Sequence, residues 1–155
     1  MPTGEELRAG VYEIDGSWRD IYVLHATRED WQHWIAHVNR HYQVRWEAED
    51  HLDGRELDAI DAAYMERRWD AGFDALVQWA NVFVGDIKLN CHFFVATQID
   101  NDFDPAAIRS MEDHHRLMGY LVAISTALQK EVIVTAENVP EGIYIRVNGT
   151  DIHFM

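Results

Sequence analysis

Ile143-Tyr144-Ile145-Arg146-Val147-Asn148-Gly149-Thr150-Asp151-Ile152-His153-Phe154 reads as two alternating apolar and polar runs around a turn dipeptide. Asn-Gly favours positive φ at both centres of a type I′ turn, so the segment predicts a β-hairpin. A two-residue turn at Asn148-Gly149 sets Val147 opposite Thr150 and pairs Ile145 with Ile152 and Ile143 with Phe154 on a core-facing side. The other side then pairs Arg146 with Asp151.

A second hairpin is expected upstream, where Trp79 to Val84 and Ile87 to Val95 flank Gly85-Asp86. Its alternation puts Val82, Val84, Ile87, Leu89, Cys91 and Phe93 on one side, which reads as core. Trp79, Asn81, Lys88, Asn90, His92 and Phe94 fall on the other, a mixture of aromatic and polar groups suited to a face covered by a helix edge, a loop or a partner. Three helices separate the strands. Thr27 caps the first, with Glu29 and Asp30 in its opening turn and Trp31, Trp34, Ile35, Val38 and Tyr42 as its apolar stripe. The second is expected from Glu56 to Arg68 with Leu57, Ile60 and Tyr64 aligned. The third starts after Asp104-Pro105 or Ser110 and runs to about Gln129, with Leu117, Leu121, Ile124 and Leu128 in line. Further strands are expected at Val11 to Ile14, Trp18 to His25, Tyr42 to Ala48 and Glu131 to Thr135. The pattern is that of one α+β domain spanning residues 1–155, a largely antiparallel sheet with about three helices packed against one face.

The chain carries 27 acidic and 13 basic side chains among 155 residues, a formal charge of −14. Such a field repels nucleic acid and anionic membrane surfaces and attracts cationic partners, which argues against a direct nucleic-acid reader or a membrane-surface protein. No stretch approaches the ~18 apolar residues of a membrane span, and the N-terminal residues lack the pattern of a secretory leader. One cysteine, Cys91, closes no intramolecular disulfide and fits a reducing, cytoplasmic setting.

Catalytic and metal motifs are weak. His33, His37 and His41 fall at i, i+4 and i+8 of the first helix, where paired imidazoles can share an ion, but they lie away from its apolar stripe and lack the glutamate of a metalloprotease motif. Asp100, Asp102 and Asp104 alternate like the opening of a calcium loop, yet Pro105 stands where glycine is needed and Met111 where the closing glutamate belongs. Asp113-His114-His115 sits inside a helix pattern instead of at a strand end. Cys91 alternates onto the apolar side of its strand, where a thiol is inert. No nucleophile elbow, phosphate loop or dinucleotide fingerprint is present. The sequence therefore leans away from an enzyme, and no cofactor is expected.

Two excesses remain, acids and tryptophans. Glu47, Glu49, Asp50, Asp53, Glu56, Asp58 and Asp61 form one acidic stretch, and Asp100 to Asp104 forms another. Of six tryptophans, Trp31, Trp34 and Trp46 fall on buried stripes, whereas Trp18, Trp69 and Trp79 have weaker claims to burial. An acidic rim with an exposed aromatic anchor is what a basic partner needs. The expected partner-binding residues are Glu47, Glu49, Asp50, Asp53, Asp58, Asp61, Asp100 and Asp102, with Trp69 as anchor. A small acidic, aromatic-rich chain without catalytic residues resembles in type the bacterial immunity proteins, which neutralise a toxin. The resemblance rests on no motif and implies only a non-catalytic inhibitor of a basic protein. The rival expectations are a metal-assisted hydrolase using His92, His114, His115 and the Asp100 to Asp104 acids, and a homo-oligomeric scaffold, a homodimer in its simplest form, joined through a sheet edge.

Overall fold

Among the described residues, the alternation of the two hairpins extends into one eight-stranded antiparallel sheet. The computed structural model describes residues 1–48, 56–72 and 78–155. In chain order the elements are α1 (Gly4–Ala9), β1 (Arg19–Leu24), α2 (Arg28–His41), β2 (Gln43–Ala48), α3 (Ala62–Asp70), β3 (Gln78–Val84), β4 (Ile87–Val95), β5 (Gln98–Phe103), a 3₁₀ turn (Pro105–Ala107), α4 (Met111–Leu128), β6 (Val132–Ala136), β7 (Val139–Asn148) and β8 (Asp151–Phe154). The strand order is β2-β3-β4-β5-β1-β6-β7-β8. The chain thus begins in the middle of the sheet with β1, crosses to one edge through α2, and returns by the meander β2 to β5. It then passes through α4 to β6 on the other flank of β1 and runs out to β8.

The helices start where the sequence places caps. Thr27 accepts a hydrogen bond from the Asp30 N–H, the Asp30 carboxylate accepts one from the Thr27 N–H, and the resulting capping box opens α2. Ser110 caps α4 in the same position, and the helix ends on Gln129 in the left-handed region at φ 53°. Asp104 caps the 3₁₀ turn through the Ala106 N–H, so both expected starts are used, each by its own element. Helices α2 and α4 lie together against one face of the sheet, and α3 packs on α2. Trp31, Trp34 and Phe93 meet between the layers, Trp31 and Phe93 with ring centroids 5.4 Å apart. The buried Trp34 indole donates to the Tyr120 hydroxyl at 3.0 Å, and that hydroxyl donates to Asn101 Oδ1 at 2.6 Å. A polar thread thereby fixes α2, α4 and β5 to one another inside an apolar core. No described helix is long and apolar enough to cross a membrane.

The middle hairpin turns at Gly85-Asp86 with Val84 opposite Ile87, in the expected register, and its two faces divide as the alternation predicts. The C-terminal hairpin corrects the expectation. Ile145 pairs with Phe154, Val147 with Ile152, and Asn148 with Asp151, which leaves Gly149 and Thr150 as the loop. Glycine leads this loop at φ 59° while Thr150 avoids positive φ, the conformation a β-branched residue resists. The displacement is even in residue number, so Ile145, Val147, Ile152 and Phe154 still share a face. Arg146 lies opposite His153 instead of Asp151, and forms its ion pair with Glu131 at 2.8 Å. The Gly149 N–H also donates to Ser125 Oγ at 2.7 Å, which ties the turn to α4. Gly149→Val is expected to cost about 1–2 kcal/mol and lower the melting temperature by a few degrees, because space is open around the position and only the backbone conformation resists. An unchanged calorimetric melting temperature would contradict the left-handed assignment.

Three further expectations are corrected. Val11 to Ile14 is not a strand: Val11 and Tyr12 are buried in the connection between α1 and β1, where Val11 and Glu13 offer their carbonyls to the buried Arg19 guanidinium. The second helix begins at Ala62, not Glu56, because Leu57 is held in a bridge to Trp46 by two 2.8 Å backbone bonds and Asp61 caps α3. Asp100 and Asp102, in a stretch where no strand is expected, lie in β5.

Candidate functional site

Antiparallel pairing carries side chains into rows across the face of the sheet opposite α2 and α4, the open face, where Asp20, Tyr22, Asn81, Ile133 and Thr135 are buried and Arg45, Asn90, His92 and Asp102 reach solvent. One row runs Arg45, Asn81, Asn90, Asp102, Asp20 and Thr135 over β2, β3, β4, β5, β1 and β6. The next runs Glu47, Trp79, His92, Asp100, Tyr22 and Ile133 over the same strands. Directly opposed side chains in such a ladder lie about 5 Å apart at Cβ, so Asp20, Asp100 and Asp102 form one cluster at the centre of the sheet.

The first row is hydrogen-bonded from Asn81 to the centre. Asn81 Nδ2 donates to Asn90 Oδ1 at 2.9 Å, and Asn90 Nδ2 donates to Asp102 Oδ1 at 2.8 Å. The other oxygen of Asp102 meets His92 Nε2 at 2.6 Å. Asp20 Oδ2 accepts from the Tyr22 hydroxyl at 2.9 Å and from the Asn138 N–H at 2.7 Å. Asp100 differs. It is only 9% exposed, yet its carboxylate takes part in no hydrogen bond with any described residue, and its oxygens are not among the sealed polar atoms of the interior. Strand alternation places its side chain on the same face as His92 and Tyr22.

Charge follows from this geometry. Burial pushes the Asp100 carboxyl up to about 7, with Asp20 and Asp102 adding to the rise and His92 opposing it. Asp20 is raised as well, by burial first, against the hydrogen bonds from Asn138 and Tyr22. His92 is raised by its hydrogen bond to Asp102 and by the surrounding carboxylates. Among the described residues, His92 is the only basic side chain in an ion pair with any of the three acids. Beside it, the Phe94 ring is 57% exposed and lies parallel to the His92 imidazole, with centroids 4.9 Å apart.

Of the residues expected from sequence, Asp100 and Asp102 come together in this cluster and the others are dispersed. Glu49, Asp50 and Asp53 lie outside the described residues. Asp58 is exposed, Asp61 is the α3 cap, and Glu47 stands at the β2 end of the second row. Trp69 is no exposed anchor: it is buried, with its ring centroid 5.1 Å from that of Trp31, because α3 presses its last turn onto α2. Trp18, at 39% exposure, is the more open tryptophan. His33 and His41 are exposed, while His37 is half-buried beside His41. Among the described residues no three His, Cys, Asp or Glu side chains are arranged to hold a metal ion. His114 is buried on the helical side of the sheet, its Nδ1 2.7 Å from the Tyr12 hydroxyl, and so does not converge with His92. Buried Cys91 has its thiol raised well above the usual range by desolvation. Asp20, Tyr22, Asn81 and Asn90 were not expected as site residues. The alternation of the middle hairpin had already set Asn81, Asn90 and His92 on one face, the signal that leads to them.

Comparison of the chain with protein-family models, with curated proteins and with solved structures finds no significant match.

Proposed function

We propose that this chain is a non-catalytic binding protein that captures a basic protein partner on the open face of its sheet, at Asp20, Asp100 and Asp102. One observation supports the reading above the rest: three carboxylates sit side by side on adjacent strands with one histidine as their counter-charge among the described residues, in a chain of formal charge −14. Like charges held together raise one another's proton affinity, and a docked cation relieves the same repulsion that a proton relieves. A cytoplasmic immunity-type protein that covers the cationic surface of a toxic enzyme is the biological form of this reading. Buried, unpaired Cys91 is consistent with a reducing compartment.

The test uses tagged protein as bait in the native cell extract, with the captured partner then purified for kinetics. Asp20→Asn, Asp100→Asn and Asp102→Asn together are expected to weaken its binding by at least about tenfold and to flatten the salt dependence of association. Glu47→Lys with Asp58→Lys is expected to slow association with a smaller effect on dissociation. A partner that binds the triple asparagine variant as tightly as the parent, at the same salt slope, would place recognition elsewhere and overturn the proposal.

A further inference from the structure

Resting on that reading, we infer that the group received at the open face is an arginine guanidinium, carried on a partner segment with an apolar residue beside it. Three features of the face select this cation over a lysine ammonium.

The first is the set of acceptors left over. Asp102 has both oxygens engaged, by Asn90 and His92, and Asp20 Oδ2 is engaged twice. Among the described residues, the carboxylate of Asp100 and Oδ1 of Asp20 remain, on adjacent strands and diagonal to one another in the ladder. A planar fork of N–H donors bridges two carboxylates held this way, whereas an ammonium addresses them as a point charge. The second is desolvation. Asp100 is nine-tenths buried, so an incoming cation must shed water to reach it, and a guanidinium, more weakly hydrated than an ammonium, sheds it at less cost. The third is the exposed ring of Phe94, stacked flat on His92 beside the acids. A flat delocalised cation stacks on such a surface while its edge bonds the carboxylates.

The apolar neighbour follows from what adjoins Asp100 on the opposite side. Tyr22, directly across from Asp100, also lines a groove of about 370 Å³ together with Leu24, His25, Lys130, Glu131 and Ile133. The charges of this groove are already matched. Lys130 Nζ donates to the His25 carbonyl at 2.8 Å and pairs with Asp30, and Glu131 pairs with Arg146 at 2.8 Å. What the groove offers is therefore its apolar lining of Tyr22, Leu24 and Ile133, suited to a leucine-sized side chain next to the arginine.

The experiment is an NMR titration of isotope-labelled full-length protein with three probes: N-acetyl-arginine amide, N-acetyl-lysine amide and N-acetyl-leucyl-arginine amide. The arginine probe is expected to shift the signals of His92, Asp100 and Asp102 and to bind about tenfold more tightly than the lysine probe. The leucyl probe is expected to bind several-fold more tightly again and to add shifts at Leu24 and Ile133. Asp100→Asn should abolish the response with a dispersed spectrum retained, and Phe94→Ala should reduce the arginine response while leaving the lysine response unchanged. Equal affinity for arginine and lysine at these residues overturns the guanidinium assignment and leaves the acidic face standing as a cation site. No shift at the open face with any probe also overturns it, while the captured partner's response to the triple asparagine variant decides separately whether the face is the docking site at all.

Discussion

Arg19→Ala is expected to remove about 3–5 kcal/mol of stability, a large share of the 5–15 kcal/mol that holds an ordinary domain together. The guanidinium is fully buried. Its Nε donates to the Val11 carbonyl at 2.6 Å, Nη2 to the Glu13 carbonyl at 2.9 Å, and Nη1 to Ser17 Oγ at 2.7 Å and the Trp18 carbonyl at 3.0 Å. It also lies over the Tyr144 ring, 5.2 Å from the centroid. Alanine leaves these acceptors without a donor and a void beside β1. Lysine is expected to restore less than half of the loss, since its ammonium cannot present a fork to acceptors spread over this loop. Urea unfolding monitored by tryptophan fluorescence reads both effects, and a loss below about 1 kcal/mol for the alanine variant would show that the loop is held by other contacts.

Asp100→Asn is expected to stabilise the protein at alkaline pH and to leave it unchanged in acid. The ordinary carboxylate value is 3.8 and burial raises Asp100 to about 7 in the folded chain. Below about pH 4 the group is protonated in both states, so its burial carries no ionic cost. Between about pH 4 and 7 the unfolded chain releases this proton and the folded chain keeps it, so stability falls as pH rises, and above 7 the full cost is present. Asparagine keeps the shape and removes the charge. The expected gain for the variant is on the order of 2–4 kcal/mol at pH 8, reduced from the full shift by the solvent its oxygens reach. Raised Asp20 and His92 impose slopes of the same sign on the parent, so part of the decline persists in the variant. Denaturation curves at pH 4, 6 and 8 measure it; a difference between parent and variant that is constant across the three would mean that Asp100 ionises normally.

Much of the frame was legible because local signals and global packing agree there. Thr27 with Asp30, the stripe from Trp31 to Val38, and Gly85-Asp86 between alternating runs each specify an element without help from distant residues. Strand β5 was not legible. Its centre, Asp100-Asn101-Asp102, is made of poor strand formers, and the segment is a strand because β4 and β1 supply hydrogen bonds on both sides. Without β5 the site could not be seen, since Asp20 meets Asp102 only across a pairing between the first strand of the chain and the fifth. From sequence alone the acids therefore form only a rim. Trp69 was misplaced for a related reason: its burial depends on where α3 lands on α2, which the period of a short helix does not disclose.

The position of β1 gives this cluster a role in how the chain comes together. The strand is a seam: β5 closes on one side of it and β6 on the other, each after a long excursion through a crossover helix, so both closures join segments far apart in sequence and form slowly. Asp20 and Asp102 face one another across one of these joints, and their repulsion works against its closing. A proton or a docked cation at the same spot acts as a clasp on the finished sheet. Occupancy of the open face should then be felt as slower unfolding of the whole chain, a kinetic lock fitted at a joint between segments distant in sequence.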